Sequence, residues 1–120
     1  MEIRAMHEAL AVRLCCDRAT RGELRDLIDL AERIYELAIA EKAVEALVLD
    51  RQLHSRLVAL SGNAMLADLA EDFRFRAPAA TALDAALVRD EHLAILRAIL
   101  DGRGDDAERL VQEHIAAEMV

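Results

Sequence analysis

The chain has 120 residues, a formal net charge of −8, 55% hydrophobic residues, 2% aromatics and a single proline. Such a length suits one domain with its own core and is too short for two, and the acidic balance excludes phosphate-backbone binding, which depends on clustered Lys and Arg displacing counterions. Ala, Leu, Arg, Glu and Asp dominate the composition, a helix-compatible set that predicts an all-α protein with no sheet.

No apolar run approaches the roughly 20 residues of a membrane span. The start, "MEIRAMHEAL", carries charges where a signal peptide has its apolar segment, so a cytoplasmic location is expected. Cys15 and Cys16 are neighbours, spaced neither for a disulfide framework nor as CxxC, and read as small packing residues.

Periodicity and caps divide the sequence into about six helices. The first is predicted over Glu2 to Ala19, with Ile3, Met6, Leu10 and Leu14 on one face. Thr20 then caps a second helix, and Glu23 completes a capping box in "TRGE". Leu24, Leu27, Ile28, Ala31, Ile34 and Leu37 or Ala38 form its stripe, which ends near Glu41. A third helix runs from Val44 to Leu60. "SGN", Ser61 to Asn63, breaks it, with Gly62 free to take positive φ and Asn63 placed to cap the next helix. A fourth spans Ala64 to Phe75, Pro78 interrupts the chain, and a fifth covers Thr81 to Leu100. The loop "DGRGDD" closes it, and Asp105 or Asp106 starts the sixth. Six helices with short connections predict a compact antiparallel bundle over residues 1–120.

Four polar residues fall in the apolar stripes. Asp50 and His54 share a face with Leu47, Leu53, Leu57 and Val58; His92 lies with Val88, Ile95, Leu96 and Ile99; His114 follows Ala107, Leu110 and Val111. Burying such groups costs several kcal/mol unless they are partnered. A lone core histidine is commonly satisfied by a backbone carbonyl, but four such residues on three helices suggest one divalent ion held by a carboxylate and three imidazoles. That donor set suits Zn²⁺, Ni²⁺, Mn²⁺ or Co²⁺, with positions left open for water or a ligand carboxylate. Catalysis would also need a base near a metal-bound water. Glu91 and Glu113 directly precede histidines and are expected to point about 100° away from them.

At these residues a family resemblance emerges. "DRQLHSRLVALSGNAMLADL" resembles the D-x-x-F-H-x-x-L and S-G-N-x-x-L signature of the FCD domain, the effector-binding half of GntR-type bacterial transcription regulators. "EHLAILRAILDGRGDDAERLVQEHI" resembles its second signature, and "ALAVRLCCDRAT" its first helix. The resemblance implies a bundle of six or seven helices holding one metal, Zn²⁺ foremost, through Asp50, His54, His92 and His114. It further implies a small carboxylate effector, a homodimer, and DNA contact only through a winged helix-turn-helix of roughly 70 residues, a size typical of a small independent unit, that these 120 residues do not contain. Leu53 stands where Phe is usual, and His7 where Leu is usual.

A carboxylate effector calls for a cation besides the metal. Arg4, at a position where the family often has arginine, and Arg74 and Arg76, before Pro78, are the candidates. The expected function is a non-enzymatic, metal-dependent small-carboxylate sensor. The alternatives are a small metalloenzyme using the same four residues and a metal-free dimerising bundle.

Overall fold

The computed structural model describes residues 2–68 and 85–118. Helices α1 (Glu2–Arg18), α2 (Arg21–Ile39) and α3 (Ala43–Leu60) come in close succession; residues 64–68 are helical (α4), and α5 (Ala85–Leu100) and α6 (Gly104–Glu118) complete the described chain. The Cα radius of gyration is 13.0 Å, close to the value of about 13–14 Å for a packed globule of this length. No strand occurs among the described residues. The all-α expectation holds, and α2, α3 and α6 begin and end within a few residues of their expected bounds. The expected helical residues 69–75 and 81–84, with Pro78, lie outside the described residues.

The stripes read from the sequence form the core. Leu24, Leu27, Ala31, Ile34 and Leu37 of α2 are buried with Leu53 and Leu57 of α3, Leu96 and Ile99 of α5, and Ala107, Val111 and Ile115 of α6. A smaller cluster of Ala11, Val58 and Leu66 fastens α4 against α1 and α3. Helix α2 packs on both α3 and α5, and α1 lies mainly along α6.

Helix α1 departs from the expected phase at Met6 and Leu10, while Leu14 is half-buried against the cluster of Ala11, Val58 and Leu66. Met6 is 67% exposed and Leu10 46% exposed, whereas His7, Glu8, Ala11, Val12 and Cys15 are buried. Size and pairing explain the inversion. Ala11, Val12 and Cys15 permit close approach, while the polar side chains find partners on other helices. His7 Nε2 donates to the Leu66 carbonyl at 2.6 Å, so this histidine anchors α1 to α4. The links from α1 to α3 ascend along both helices: Glu8 to His54, the Cys15 thiol to the Leu57 carbonyl, and Arg18 to the Ser61 carbonyl. The two helices therefore run in the same sense. Arg13 pairs with Asp105 and Glu108 in the first turns of α6.

The helix ends obey local chemistry. The Glu23 amide donates to Thr20 Oγ1 at 3.1 Å and the Thr20 amide to Glu23 Oε1 at 2.8 Å, completing the capping box. Ser61, Gly62 and Asn63 divide the α3–α4 turn: Gly62 takes φ 72°, and Asn63 Oδ1 accepts from the Leu66 amide at 3.2 Å. At the end of α2 the left-handed position falls instead on Glu41, at φ 62°. The Lys42 amide reaches the Leu37 carbonyl and the Glu41 amide the Ala38 carbonyl, a Schellman closure normally made with glycine.

Substitutions at these ends test the account. Thr20→Ala should cost about 1 kcal/mol, and Glu41→Gly should gain about 0.5–1 kcal/mol by relieving the left-handed strain, both read as shifted urea midpoints at constant m-value.

Burial pushes the Cys15 thiol up from 9.0 to about 12, with the neighbouring Cys16 adding to the shift. Burial also raises the Cys16 thiol. A raised thiol pKa favours the folded state below the unfolded value and is lost above it, because the unfolded chain sheds the proton first. Stability should decline between pH 9.0 and about 12, less steeply in Cys15→Ala; at pH 8, iodoacetamide should label native Cys16 ahead of Cys15.

Candidate metal centre

The four polar residues of the stripes meet between α3, α5 and α6. Asp50 and His54 stand one turn apart on α3, each with a side chain 13% exposed, while His92 of α5 and His114 of α6 are each 2% exposed. Ring centroids are 5.5 Å apart for His54 and His92, 5.5 Å for His54 and His114, and 4.8 Å for His92 and His114. One nitrogen from each of the three rings lies within 4.8 Å of the others. Asp50 Oδ1 is 3.3 Å from His92 Nε2 and 3.8 Å from His54 Nε2.

This donor set fits a divalent transition ion. With bonds of about 2.0–2.2 Å, ligands on one ion sit roughly 3–4.4 Å apart, so the observed spacings need only small side-chain movements to close. Three imidazoles and a carboxylate are the borderline donors preferred by Zn²⁺, Ni²⁺, Co²⁺ and Mn²⁺ over Mg²⁺ or Ca²⁺.

Two acids beside the centre were not foreseen as its partners. Glu8 of α1, 4% exposed, accepts from His54 Nδ1 at 2.6 Å. Glu91 Oε2 accepts from His114 Nδ1 at 3.1 Å. The packing of α5 against α6 brings Glu91 to His114. Single-helix spacing is blind to such a neighbour. Glu8 left a weak signal, an acid on a helix face shared with Ala5, Ala11 and Val12.

Arg4 stands in the first turn of α1, and its side chain, like the whole of Arg74 and Arg76, lies outside what the structure describes. A groove of about 260 Å³ reaches His114 and is lined by Asp90, Glu91, Ala94, Leu110, Glu113 and His114. Of its three carboxylates, Asp90 is paired with Arg89 and Glu113 with Arg109, while Glu91 accepts from His114.

Fold and centre together define an all-helical domain that gathers three histidines from three helices in its interior. The chain belongs to the FCD domain family, whose model matches residues 1–117. It is 35% identical over 120 residues to the protein named Nta operon transcriptional regulator of Aminobacter aminovorans, covering 95% of this chain and 55% of the relative. The chain thus spans about half the length of the curated relative it matches. The structure of Streptococcus agalactiae GntR is similar with a TM-score of 0.80 and 25% identity, over 97% of this chain and 54% of that one. E. coli McbR/YncC, at 16% identity and a TM-score of 0.83 over 98% of this chain and 63% of that one, shares the fold. No described helix is long and apolar enough to cross a membrane.

Proposed function

We propose that this chain is the metal-dependent sensing domain of a GntR-type transcription regulator, in which Asp50, His54, His92 and His114 hold one divalent transition ion and a small carboxylate effector binds beside it. The observation that carries this reading is the convergence of one nitrogen from each of three imidazoles within 4.8 Å, with the Asp50 carboxylate 3.3 Å from one ring. The preferred ion is Zn²⁺, with Ni²⁺, Mn²⁺ or Co²⁺ as substitutes. When bound, it supplies a Lewis-acid position for a carboxylate oxygen.

A further cationic candidate lies on α3. Arg51 Nε and Ser55 Oγ are buried and make no hydrogen bond among the described residues. They stand one turn apart on α3, each directly after a residue of the centre, on the adjoining strip of the helix. An arginine fork and a hydroxyl suit carboxylate oxygens. Arg51 therefore joins Arg4, Arg74 and Arg76 as an effector-binding candidate.

Sensing arises from the number of helices at the site. A ligand contacting groups on α3, α5 and α6 favours one spacing of those helices, and differential affinity for that spacing shifts the population. In a homodimer that shift would pass to the partner and to any attached DNA-reading domains. The relatives are transcription regulators, in keeping with a non-enzymatic role.

Elemental analysis of untagged protein should find about one transition metal per chain, lost in Asp50→Ala and His92→Ala. Adding Zn²⁺ at 100 times its Kd should stabilise the parent by about 2.7 kcal/mol, or roughly 10 °C in Tm for a domain of this size. No bound metal after refolding with zinc, nickel or manganese, and no thermal shift, would overturn the reading. Effector affinity should fall together with metal occupancy in Asp50→Ala, and unchanged affinity in the metal-free variant would break the coupling between the two sites.

A further inference from the structure

The centre's nitrogens are presented to it by groups that do not face it. A carboxylate accepts hydrogen bonds and has none to give while ionised, so the 2.6 Å contact from His54 to Glu8 Oε1 places a proton on His54 Nδ1. The 3.1 Å contact to Glu91 Oε2 does the same for His114. In the neutral ring the lone pair then sits on Nε2. For His54 that is the nitrogen directed at Asp50, 3.8 Å from Oδ1.

We infer that Glu8 and Glu91 are positioning residues, which hold His54 and His114 in the Nδ1–H form and turn both Nε2 atoms toward the ion, and that Glu8 dominates. This rests on the metal-site reading above. The two contacts differ in setting. Glu8 and His54 have side chains 5% and 13% exposed, whereas the Glu91 side chain is 27% exposed and borders the open groove. A hydrogen bond shielded from water holds its geometry more strongly than one that water can replace. Glu8 also comes from α1, which contributes none of the four proposed ligands. Through it, the orientation of a ligand on α3 depends on where α1 lies, so a displacement of α1 reaches the ion without touching it.

The test uses ¹⁵N-labelled protein and the metals alone. Long-range ¹H–¹⁵N correlation spectra of metal-free parent, recorded where the imidazoles are neutral, should show Nδ1 protonated in His54 and His114. Glu8→Ala should release that bias in His54 and leave His114 unchanged. Competition with a chromophoric chelator should show Zn²⁺ and Ni²⁺ affinity weakened about 10–100-fold in Glu8→Ala. The loss should be smaller in Glu91→Ala, and largely rescued in Glu8→Gln, whose amide oxygen still accepts from Nδ1. Should Glu8→Ala fail to fold, the parent and Glu8→Gln spectra still decide the tautomer.

Nε2 protonation in the parent would overturn the inference, as would affinity within twofold of the parent in folded Glu8→Ala. A loss as large as that of Asp50→Ala would make Glu8 a ligand and overturn its positioning role. A parent that binds no metal overturns the functional reading instead, while the metal-free spectra still judge the tautomers.

Discussion

The structure depends on a polar knot inside an apolar bundle. Three imidazoles and Asp50 occupy stripe positions that elsewhere hold Leu, Ile and Val, and they do so on helices distant in sequence. Each would be costly to bury among hydrocarbon alone. Brought together, they form a set whose members are satisfied by one another, by Glu8 and Glu91, or by an ion. That requirement fixes the rotation of α3, α5 and α6 about their axes more tightly than packing would, since a Leu tolerates a small turn of its helix and a directional polar contact does not.

The apolar core supplies the scaffold for this arrangement. Buried Leu27, Leu96, Ile99, Val111 and Ile115 flank the centre along α2, α5 and α6, and the turns at Gly62 and Gly102, both at φ 72°, aim each successive helix back against its neighbours. Arg18, on the Ser61 carbonyl at 2.8 Å, ties the end of α1 to the end of α3. The tie keeps Glu8 level with His54 further up the same pair of helices.

Much of this was legible in the sequence because helical phase is a local property. The stripes of α2, α3, α5 and α6, the Thr20 capping box and the Asn63 cap all depend on residues within one or two turns of each other. The four residues of the centre were legible for the same reason, as polar residues in apolar phase. The face of α1 was not. Its large apolar residues, Met6 and Leu10, pointed the expectation outward, and the face that is buried carries His7 and Glu8, whose burial makes sense only with Leu66 and His54 in place. The roles of Glu8 and Glu91 were hidden likewise, because each is defined by a residue 46 or 23 positions away. Nothing within α3 marks Arg51, because the burial of its Nε is a tertiary fact.

The carboxylates around the centre also set an order of arrival. Asp50, Glu8 and Glu91 crowd the three rings, and Asp90 and Glu113, paired with Arg89 and Arg109, line the groove that reaches His114. The carboxylates that touch the rings discourage an anion arriving by itself, while a divalent cation is drawn in. On the proposed reading the ion must come first and the organic acid second. The domain would then report an acid only in a cell that has already supplied the metal, which makes it a detector of two conditions at once.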